Sequence, residues 1–185
     1  MEMKDMLIEK RLTSQVRFEG KILSVETDEV ELANGEKSYR EVIRKGNAVC
    51  VVPLLDSGEV IFVNQFRYPY SEVTTEIPAG KMDKGESPAE CGIRELSEET
   101  GYTAGKLIPL GEFYPSPAFV DEVIYMYLAT DMSEGKSHLD GDEFLTVEKI
   151  PLERAAEMAF DGTLKDGKTL TAILKTWYLK QKGII

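Results

Sequence analysis

A capped helix in the middle of the chain constrains the fold more than any other segment. Ser87 has the residue type of an N-cap, Pro88 suits the first helical position, and Glu90 completes a capping box. Gly101 is the residue type that ends a helix in the left-handed conformation. These signals predict a helix that begins at about Pro88 and ends at Thr100.

Three glutamates of this helix, Glu95, Glu98 and Glu99, are predicted to project from one flank beside its buried face. The apolar positions that define this face are Ala89, Ile93, Leu96 and Thr100. The glutamates repel one another and lie in the last two turns, where the helix dipole disfavours anions. Arg94 alone cannot neutralise them. A hard divalent cation would turn this repulsion into a binding site, and a solvated acidic surface is the alternative.

Segments of extended type flank the helix. Residues 16–44 are predicted to form two or three antiparallel strands, with a hairpin turn at Asn34-Gly35. The apolar run NAVCVVPLL and the segment EVIFVNQFRY, separated by DSGE, are predicted to pair as a hairpin at the centre of a mixed sheet. Later elements are expected as strands near 106–114, 122–129 and 144–150, a short helix from Leu152 and a longer one over 168–180.

Composition argues against several classes of protein. A net charge of -11 without a Lys/Arg-rich run argues against nucleic-acid binding, because phosphate backbones are held mainly by Lys and Arg. No window has the length of a membrane span, and the first residues lack a signal-peptide core, so we expect a cytoplasmic protein with no membrane partner. Cys50 and Cys91 lack CxxC spacing and are expected to be buried free thiols. The single histidine, His138, argues against a His-based zinc site or a Ser-His-Asp triad.

The helix lies within a longer spacing pattern. Gly80, Glu86, Arg94-Glu95-Leu96, Glu98-Glu99 and Gly101-Tyr102 follow the order G-x5-E-x7-R-E-U-x-E-E-x-G-U, where U is a bulky apolar residue. This order is the signature of the Nudix hydrolases, and the chain resembles that family at every fixed position, with Tyr102 a loose fit to the last apolar slot. The resemblance implies an α/β (α+β) Nudix fold, a mixed sheet between helices, and hydrolysis of a nucleoside diphosphate linked to another group.

The resemblance also implies a metal site. Members of the family bind Mg²⁺ or Mn²⁺ through the signature. By position, Glu95 and Glu99 correspond to metal ligands, and Glu98 corresponds to a ligand or to a base in the same cluster. The backbone carbonyl of Ala79 is a further implied ligand.

The flanks of the signature resemble the ADP-ribose pyrophosphatase branch of the family. That branch carries a QxR segment, an E-x-PAG lead into the signature and a proline about fifteen residues beyond it, as 65–67, 76–80 and Pro117 do here. The implied substrate is ADP-ribose, cleaved to AMP and ribose 5-phosphate. Ala118 stands where the branch commonly has glycine, and a left-handed backbone there would be strained.

The branch implies a set of substrate-binding residues: Arg67, Tyr68, Glu76, Pro117, Phe119 and Glu122. The guanidinium of Arg67 matches phosphate geometry, and Tyr68 could stack on a base. Structural roles are the alternatives: an arginine facing water for Arg67, strand packing for Tyr68 and a structural hydrogen bond for Glu76.

Further catalytic residues are implied around the metal cluster. Glu86 and Arg94 correspond to the pair that supports it. In this branch a carboxylate from a loop after the signature often acts as the general base. The segment LDGDEFLTVE offers Glu143 as the first choice, with Asp142 and Asp140 as alternatives.

Two regions are expected along the chain: an N-terminal β region over residues 1–45 and a Nudix domain over 46–185. The first region is too small to bury much surface alone and resembles the part that pairs between subunits in this branch, so we expect a homodimer. Alternatives to ADP-ribose hydrolysis are cleavage of another nucleotide sugar or of a dinucleoside polyphosphate, and non-catalytic nucleotide sensing.

Overall fold

The computed structural model describes residues 7–135 and 144–185. Outside the described residues lie the three candidate loop bases and the single histidine: Asp140, Asp142, Glu143 and His138. The described residues divide into two compact units. One contains the residues up to Gly46 together with Tyr114–Val123, and the other contains Asn47–Phe113 and Ile124–Ile185.

The first unit is built on an antiparallel sheet with strand order β1-β2-β3. Its strands are β1 Lys10–Glu19, β2 Leu23–Glu31 and β3 Lys37–Lys45. Gly35 has a φ of 83° in the turn between β2 and β3, which confirms the hairpin expected at this position. The segment 114–123 joins the unit through its backbone, because the N–H of Ile43 donates to the carbonyl of Phe119 at 2.7 Å.

The second unit, as far as it is described, contains two sheets and three helices. The strands are β4 Ala48–Pro53, β5 Glu59–Arg67, β6 Glu72–Glu76, β7 Ala79–Lys81, β8 Tyr102–Phe113, β9 Ile124–Glu134 and β10 Leu145–Pro151. The helices are α1 Pro88–Thr100, α2 Leu152–Phe160 and α3 Gly167–Gln181. One sheet has the order β7-β4-β9-β8 and is mixed, since β4 runs parallel to β9 and antiparallel to β7. The other is antiparallel, with the order β10-β5-β6.

Strand β4 separates two apolar clusters. Cys50 and Val52 lie in a cluster that contains buried apolar residues of α2 and α3. Val49 and Val51 lie in the other cluster, together with Leu96 of α1. All four β4 residues are fully buried. The mixed sheet therefore lies between α1 on one face and α2 with α3 on the other, which confirms the predicted α/β arrangement.

The predicted pairing of β4 with β5 in one sheet is wrong. The turn between them exists, with Gly58 at a φ of 86° and a bridge between Leu54 and Val60. Beyond this bridge β4 pairs with β7 and β9, whereas β5 pairs with β6 and β10. An apolar run that is buried on both faces does not specify its neighbour, and the sequence had not revealed the short strands β6 and β7 that compete for these edges.

The predicted buried face of α1 is also partly wrong. Ala89 and Ile93 are exposed. The residues that the helix buries are Cys91, Gly92, Glu95, Leu96, Glu99 and Thr100. A Cβ at Gly92 would lie 3.2 Å from methyl groups of both Val49 and Val51. The missing side chain thus lets this part of the helix approach β4 closely, and the helix is rotated relative to the pattern of its large apolar residues.

Ser87→Ala is expected to destabilise the protein by about 1 kcal/mol, because it removes a capping interaction. The Oγ of Ser87 accepts a hydrogen bond from the N–H of Glu90 at 3.3 Å, and the Glu90 carboxylate accepts one from the N–H of Ser87 at 2.9 Å. Urea denaturation followed by circular dichroism measures the change. The control is Ser133→Ala, at an exposed position of β9, which should alter the free energy of unfolding by less than about 0.5 kcal/mol. Equal losses in the two variants would contradict the role of the cap.

Candidate active site

Helix α1 buries two of its three clustered glutamates. Glu95 and Glu99 face the core, with 9% and 3% of their surface exposed, while Glu98 is only half-buried. The expected position on a flank beside the buried face therefore describes Glu98 but is wrong for the other two. Burial of a carboxylate is costly unless charges or hydrogen bonds compensate for it, so the neighbours of Glu95 and Glu99 define the site.

Strand β7 lies against both buried carboxylates. The N–H of Ala79 donates to Oε2 of Glu99 at 3.1 Å, and Ala79 is fixed in turn by pairing with Cys50 of β4. A Cβ at Gly80 would lie 1.9 Å from the carboxyl carbon of Glu95. Glycine at position 80 therefore leaves the space in which the Glu95 carboxylate sits. The structure brings Ala79, Glu95 and Glu99 together.

Arg94 links the exposed side of this cluster. Its Nη1 donates to Glu95 at 2.8 Å and to Glu98 at 2.9 Å. Its Nε and Nη2 form a bidentate pair with Glu86 at 2.9 Å and 3.0 Å. The hydrogen bonds from Arg94 and from the N–H of Asp83 lower the pKa of Glu86 to about 2. The pKa of Arg94 is raised, first by its bonds to Glu86 and then, against partial burial, by those to Glu95 and Glu98. One guanidinium thus bonds three carboxylates.

The donor atoms suit a hard divalent cation. Carboxylate oxygens of Glu95, Glu98 and Glu99 and a backbone carbonyl are the ligand types that Mg²⁺ and Mn²⁺ accept, and the space beside Gly80 accommodates one of these carboxylates. In residues 7–135 and 144–185, no three His, Cys, Asp or Glu side chains already surround a common point. Because Arg94 holds Glu95 and Glu98, a cation would share these carboxylates with the guanidinium or displace its Nη1.

Arg67, a candidate substrate ligand, is held by the buried Glu76. Its Nε and Nη2 donate to the two carboxylate oxygens of Glu76 at 2.7 Å and 2.6 Å, and its side chain stays 39% exposed. Burial opposes the ionisation of Glu76, but the bonds from Arg67 and the charge of Lys168 outweigh it and lower the pKa of Glu76 to about 2. The pKa of Arg67 is raised, mainly by its bond to Glu76 and further by the charges of Asp166 and Glu99. Arg67 therefore lies within electrostatic reach of α1.

Two charged residues of this neighbourhood were missed by the sequence analysis. The Nζ of Lys168 donates to Glu76 at 2.5 Å and to Asp166 at 2.9 Å. Asp166 is the N-cap of α3 and accepts a hydrogen bond from the N–H of Thr169 at 3.0 Å. An aspartate before a helical segment is a usable N-cap signal, and it would have found Asp166. Nothing in the pattern indicated that Lys168 meets a glutamate 92 residues away.

The remaining candidate substrate ligands belong to different units of the chain. Tyr68 directly follows β5 and is highly exposed. Pro117, Phe119 and Glu122 belong to the first unit. Within that unit Pro117 and Phe119 are exposed, whereas Glu122 is buried and forms an ion pair with Lys45 at 2.5 Å.

Ala118 does not adopt a left-handed backbone. Among the described residues other than glycine, positive φ values occur only at Ser71 and Asp131. The turn around Ala118 is closed by hydrogen bonds from the N–H groups of Phe119 and Val120 to the carbonyl of Ser116, at 3.1 Å and 2.9 Å. Alanine therefore occupies this turn without the strain that the substitution for glycine had suggested.

Comparison with known proteins identifies relatives of the whole arrangement. The NUDIX domain model matches residues 44–172. ADP-ribose pyrophosphatase of Bacillus subtilis (strain 168) is 43% identical over 169 residues, which cover 90% of this chain and 91% of that protein. The methanol dehydrogenase activator of Bacillus methanolicus is 37% identical over 167 residues, which cover 89% of this chain and 90% of that protein. The solved structure "Crystal structure of ADP compounds hydrolase" has a TM-score of 0.85 and 24% identity, and the match covers 97% of this chain and 98% of that chain.

The chain therefore belongs to the NUDIX family, as a pyrophosphohydrolase. The matched residues contain the complete signature, and Nudix hydrolases generally use divalent metal ions. The similarity to the solved structure confirms the Nudix fold. No helix in the described part of the chain is long and apolar enough to cross a membrane.

Gly80→Ala is expected to weaken the binding of a divalent cation by about 10- to 100-fold while the fold is retained. The new methyl group would occupy the place of the Glu95 carboxylate, which is the movable end of its side chain. Isothermal titration with Mn²⁺ measures the affinity, and the melting temperature reports on the fold.

The control is Gly46→Ala, because a Cβ at Gly46 meets nothing within 4 Å and its φ is not in the left-handed region. This variant should bind Mn²⁺ like the wild type. An unchanged affinity in Gly80→Ala would contradict the assignment of Glu95 to the metal site.

Proposed function

We propose that this protein hydrolyses ADP-ribose to AMP and ribose 5-phosphate. The observation that carries the proposal is the placement of two buried carboxylates, Glu95 and Glu99, against the backbone of Ala79 and Gly80. Carboxylates at this helical spacing repel each other, and the divalent cation of a pyrophosphate-cleaving reaction would offset that repulsion. The 43% identity with an ADP-ribose pyrophosphatase supports the choice of substrate.

Mg²⁺ is the proposed metal, with Mn²⁺ as the alternative. Its proposed ligands are Glu95, Glu98, Glu99 and the carbonyl of Ala79. A bound divalent cation offsets the negative charge of a pyrophosphate, polarises a phosphoryl oxygen and lowers the pKa of a bound water. The protein's own contribution is to hold the carboxylates in place, and the bonds of Arg94 to Glu95 and Glu98 support that role.

A carboxylate is proposed to accept the proton of the attacking water. Glu98 is a candidate within the described residues, because it is half-buried and its Oε2 is bonded to Arg94. Glu143 is the first candidate from the loop after the signature, with Asp142 and Asp140 as alternatives.

Substrate recognition is proposed to centre on Arg67. Two of its nitrogens donate to Glu76, and this pairing fixes the orientation of the guanidinium, which stays partly exposed. We assign Arg67 to a phosphate of ADP-ribose, Glu76 to the positioning of Arg67 and Tyr68 to contact with the base. Pro117, Phe119 and Glu122 are proposed as further substrate contacts.

Two alternatives remain in view. The site could cleave another nucleotide sugar or a dinucleoside polyphosphate, since the signature specifies the reaction more than the group attached. A sensing or activating role without turnover is the second, and the 37% identity with a methanol dehydrogenase activator is the observation in its favour. Retention of all three signature glutamates favours catalysis, because a sensor has no need of a metal-activated water.

The proposal predicts Mg²⁺-dependent hydrolysis in which ADP-ribose gives the highest kcat/KM of a substrate panel. The panel contains ADP-ribose, GDP-mannose, a dinucleoside polyphosphate and ATP, and release of AMP is followed by chromatography. Chelation with EDTA should abolish the activity, and added Mg²⁺ or Mn²⁺ should restore it. A higher kcat/KM for another member of the panel would replace ADP-ribose as the substrate, and no hydrolysis of any member would favour sensing.

The same assay tests the metal ligands. Glu99→Gln should lower kcat at least about 100-fold on the best substrate, since an amide is a poor ligand for a hard cation. Glu134→Gln, at the exposed end of β9, makes the same chemical change outside the site and should keep full activity. Full activity in Glu99→Gln would show that the assignment is wrong.

We also propose a homodimer formed through the N-terminal strands. Val16 and Phe18 on β1 and Ile22 after it are exposed apolar residues on a small sheet. Exposed apolar side chains grouped on one element are typical of a contact surface, and a second copy of the chain would bury them.

Light scattering at micromolar concentration should therefore give twice the mass of the chain. The double substitution of Val16 and Phe18 to Ser should shift the mass to that of one chain, whereas Val147→Ser, at an exposed position of β10, should not. A wild type that is only monomeric would contradict the dimer.

The cytoplasm is the proposed location. Cys50 and Cys91 are buried free thiols, as expected from their spacing. Burial raises the pKa of both thiols to about 12, so they are unreactive. Free thiols and the lack of a disulfide fit a reducing compartment.

A further inference from the structure

A buried charged network connects the start of α3 with strands β5 and β6. Glu76 and Lys168 are only 2% and 8% exposed. The Oε2 of Glu76 accepts hydrogen bonds from Nη2 of Arg67 at 2.6 Å and from Nζ of Lys168 at 2.5 Å, and its Oε1 accepts from Thr74 at 2.6 Å. Lys168 reaches on to Asp166 at 2.9 Å. Every charge in the network therefore has a partner of opposite sign.

The formal charges of the network sum to zero. Arg67 and Lys168 each carry a positive charge, and Glu76 and Asp166 each carry a negative one. Without Lys168 the remaining three groups would carry a net negative charge. An anionic pyrophosphate would then approach a negative cluster, even though a guanidinium is part of it.

The geometry leaves part of Arg67 available. Its Nε and Nη2 are taken by Glu76, and among the contacts of the described residues its Nη1 has no hydrogen-bond acceptor. The side chain is 39% exposed, in contrast to the nearly complete burial of Lys168. The buried Lys168 thus offsets the negative charge of Glu76 from within the core. The exposed Arg67 can donate a hydrogen bond to a ligand.

Maintaining a lysine in this position has a physical cost. Burial lowers the pKa of Lys168, and the charges of Asp166 and Glu76 reverse this effect, so that the ammonium stays protonated. A buried ion pair is weak evidence for stability by itself, because desolvation cancels much of its Coulomb energy. A buried lysine here is better explained by what it does to the charge beside it.

We propose that Lys168 is a positioning residue for substrate binding, which offsets the negative charge of Glu76 so that the positive charge of Arg67 is left to attract a phosphate of the substrate. The inference rests on the proposed role of Arg67 in ADP-ribose binding. Lys168 itself does not touch the substrate. Its loss should weaken binding more than it slows the chemical step.

The test measures the Kd of ADP-ribose for the full chain by isothermal titration in EDTA, and KM and kcat with Mg²⁺. Lys168→Met should raise both Kd and KM about tenfold, with kcat within about threefold of the wild type. Lys168→Arg retains the charge and should restore most of the affinity. Lys165→Met removes a lysine from the same region, but its ion pair with Glu72 is exposed, so Kd should change less than about twofold.

Asp166→Asn supplies a second, opposite change. The amide oxygen can still cap α3 through the N–H of Thr169, while the loss of one negative charge leaves the network positive. Kd for ADP-ribose should therefore fall about threefold. A purely structural network predicts lower melting temperatures in Lys168→Met and Asp166→Asn, without opposite shifts in Kd.

The outcomes separate this inference from the proposed function. If the wild type binds ADP-ribose and a folded Lys168→Met binds it equally well, the role of Lys168 is rejected and the proposed function stands. If Lys168→Met does not fold, Asp166→Asn decides, and a Kd that does not fall rejects the inference. If the wild type neither binds nor hydrolyses ADP-ribose, the proposed substrate and the inference fail together.

Discussion

The compensation of buried negative charge on α1 is the constraint on which the site depends. Glu95 and Glu99 occupy core positions that an ordinary helix would fill with apolar residues. Ala79 donates its N–H to one of them and Arg94 donates to the other, while a bidentate bond to Glu86 fixes Arg94. The helix, strand β7 and the loop that carries Glu86 thus hold each other in place through the charged groups of the signature.

Local signals predicted several elements of the chain well. Ser87 and Gly101 delimited α1 because capping residues act within a few positions of the chain. The turn at Gly35 followed from its tolerance of positive φ. The spacing of Gly80, Glu86 and the glutamates of α1 indicated the family, since residues that share one compact site keep fixed distances along a helix and its preceding loop.

The features that the sequence did not predict depend on contacts between segments that are distant along the chain. Strand β5 pairs with β6 and β10 instead of β4. This pairing could not be predicted, because an apolar run that is buried on both faces does not specify which strands lie beside it. The rotation of α1 depends on the close approach of Gly92 to β4. The spacing of large apolar residues does not predict this contact, because glycine has no side chain. The pairing of Lys168 with Glu76 likewise requires the start of α3 to lie at the end of β6.

The junction between α1 and β8 has a mechanical consequence. Gly101 ends the helix with a φ of 76°, and Tyr102 is already the first residue of a strand that pairs with β9. Because no residue separates Gly101 from the strand, the rotation of the helix about its axis is fixed by the register of the sheet. One added residue would turn the helix by about 100° and swing its carboxylates out of alignment. The sheet therefore fixes the orientation in which the helix presents Glu95, Glu98 and Glu99.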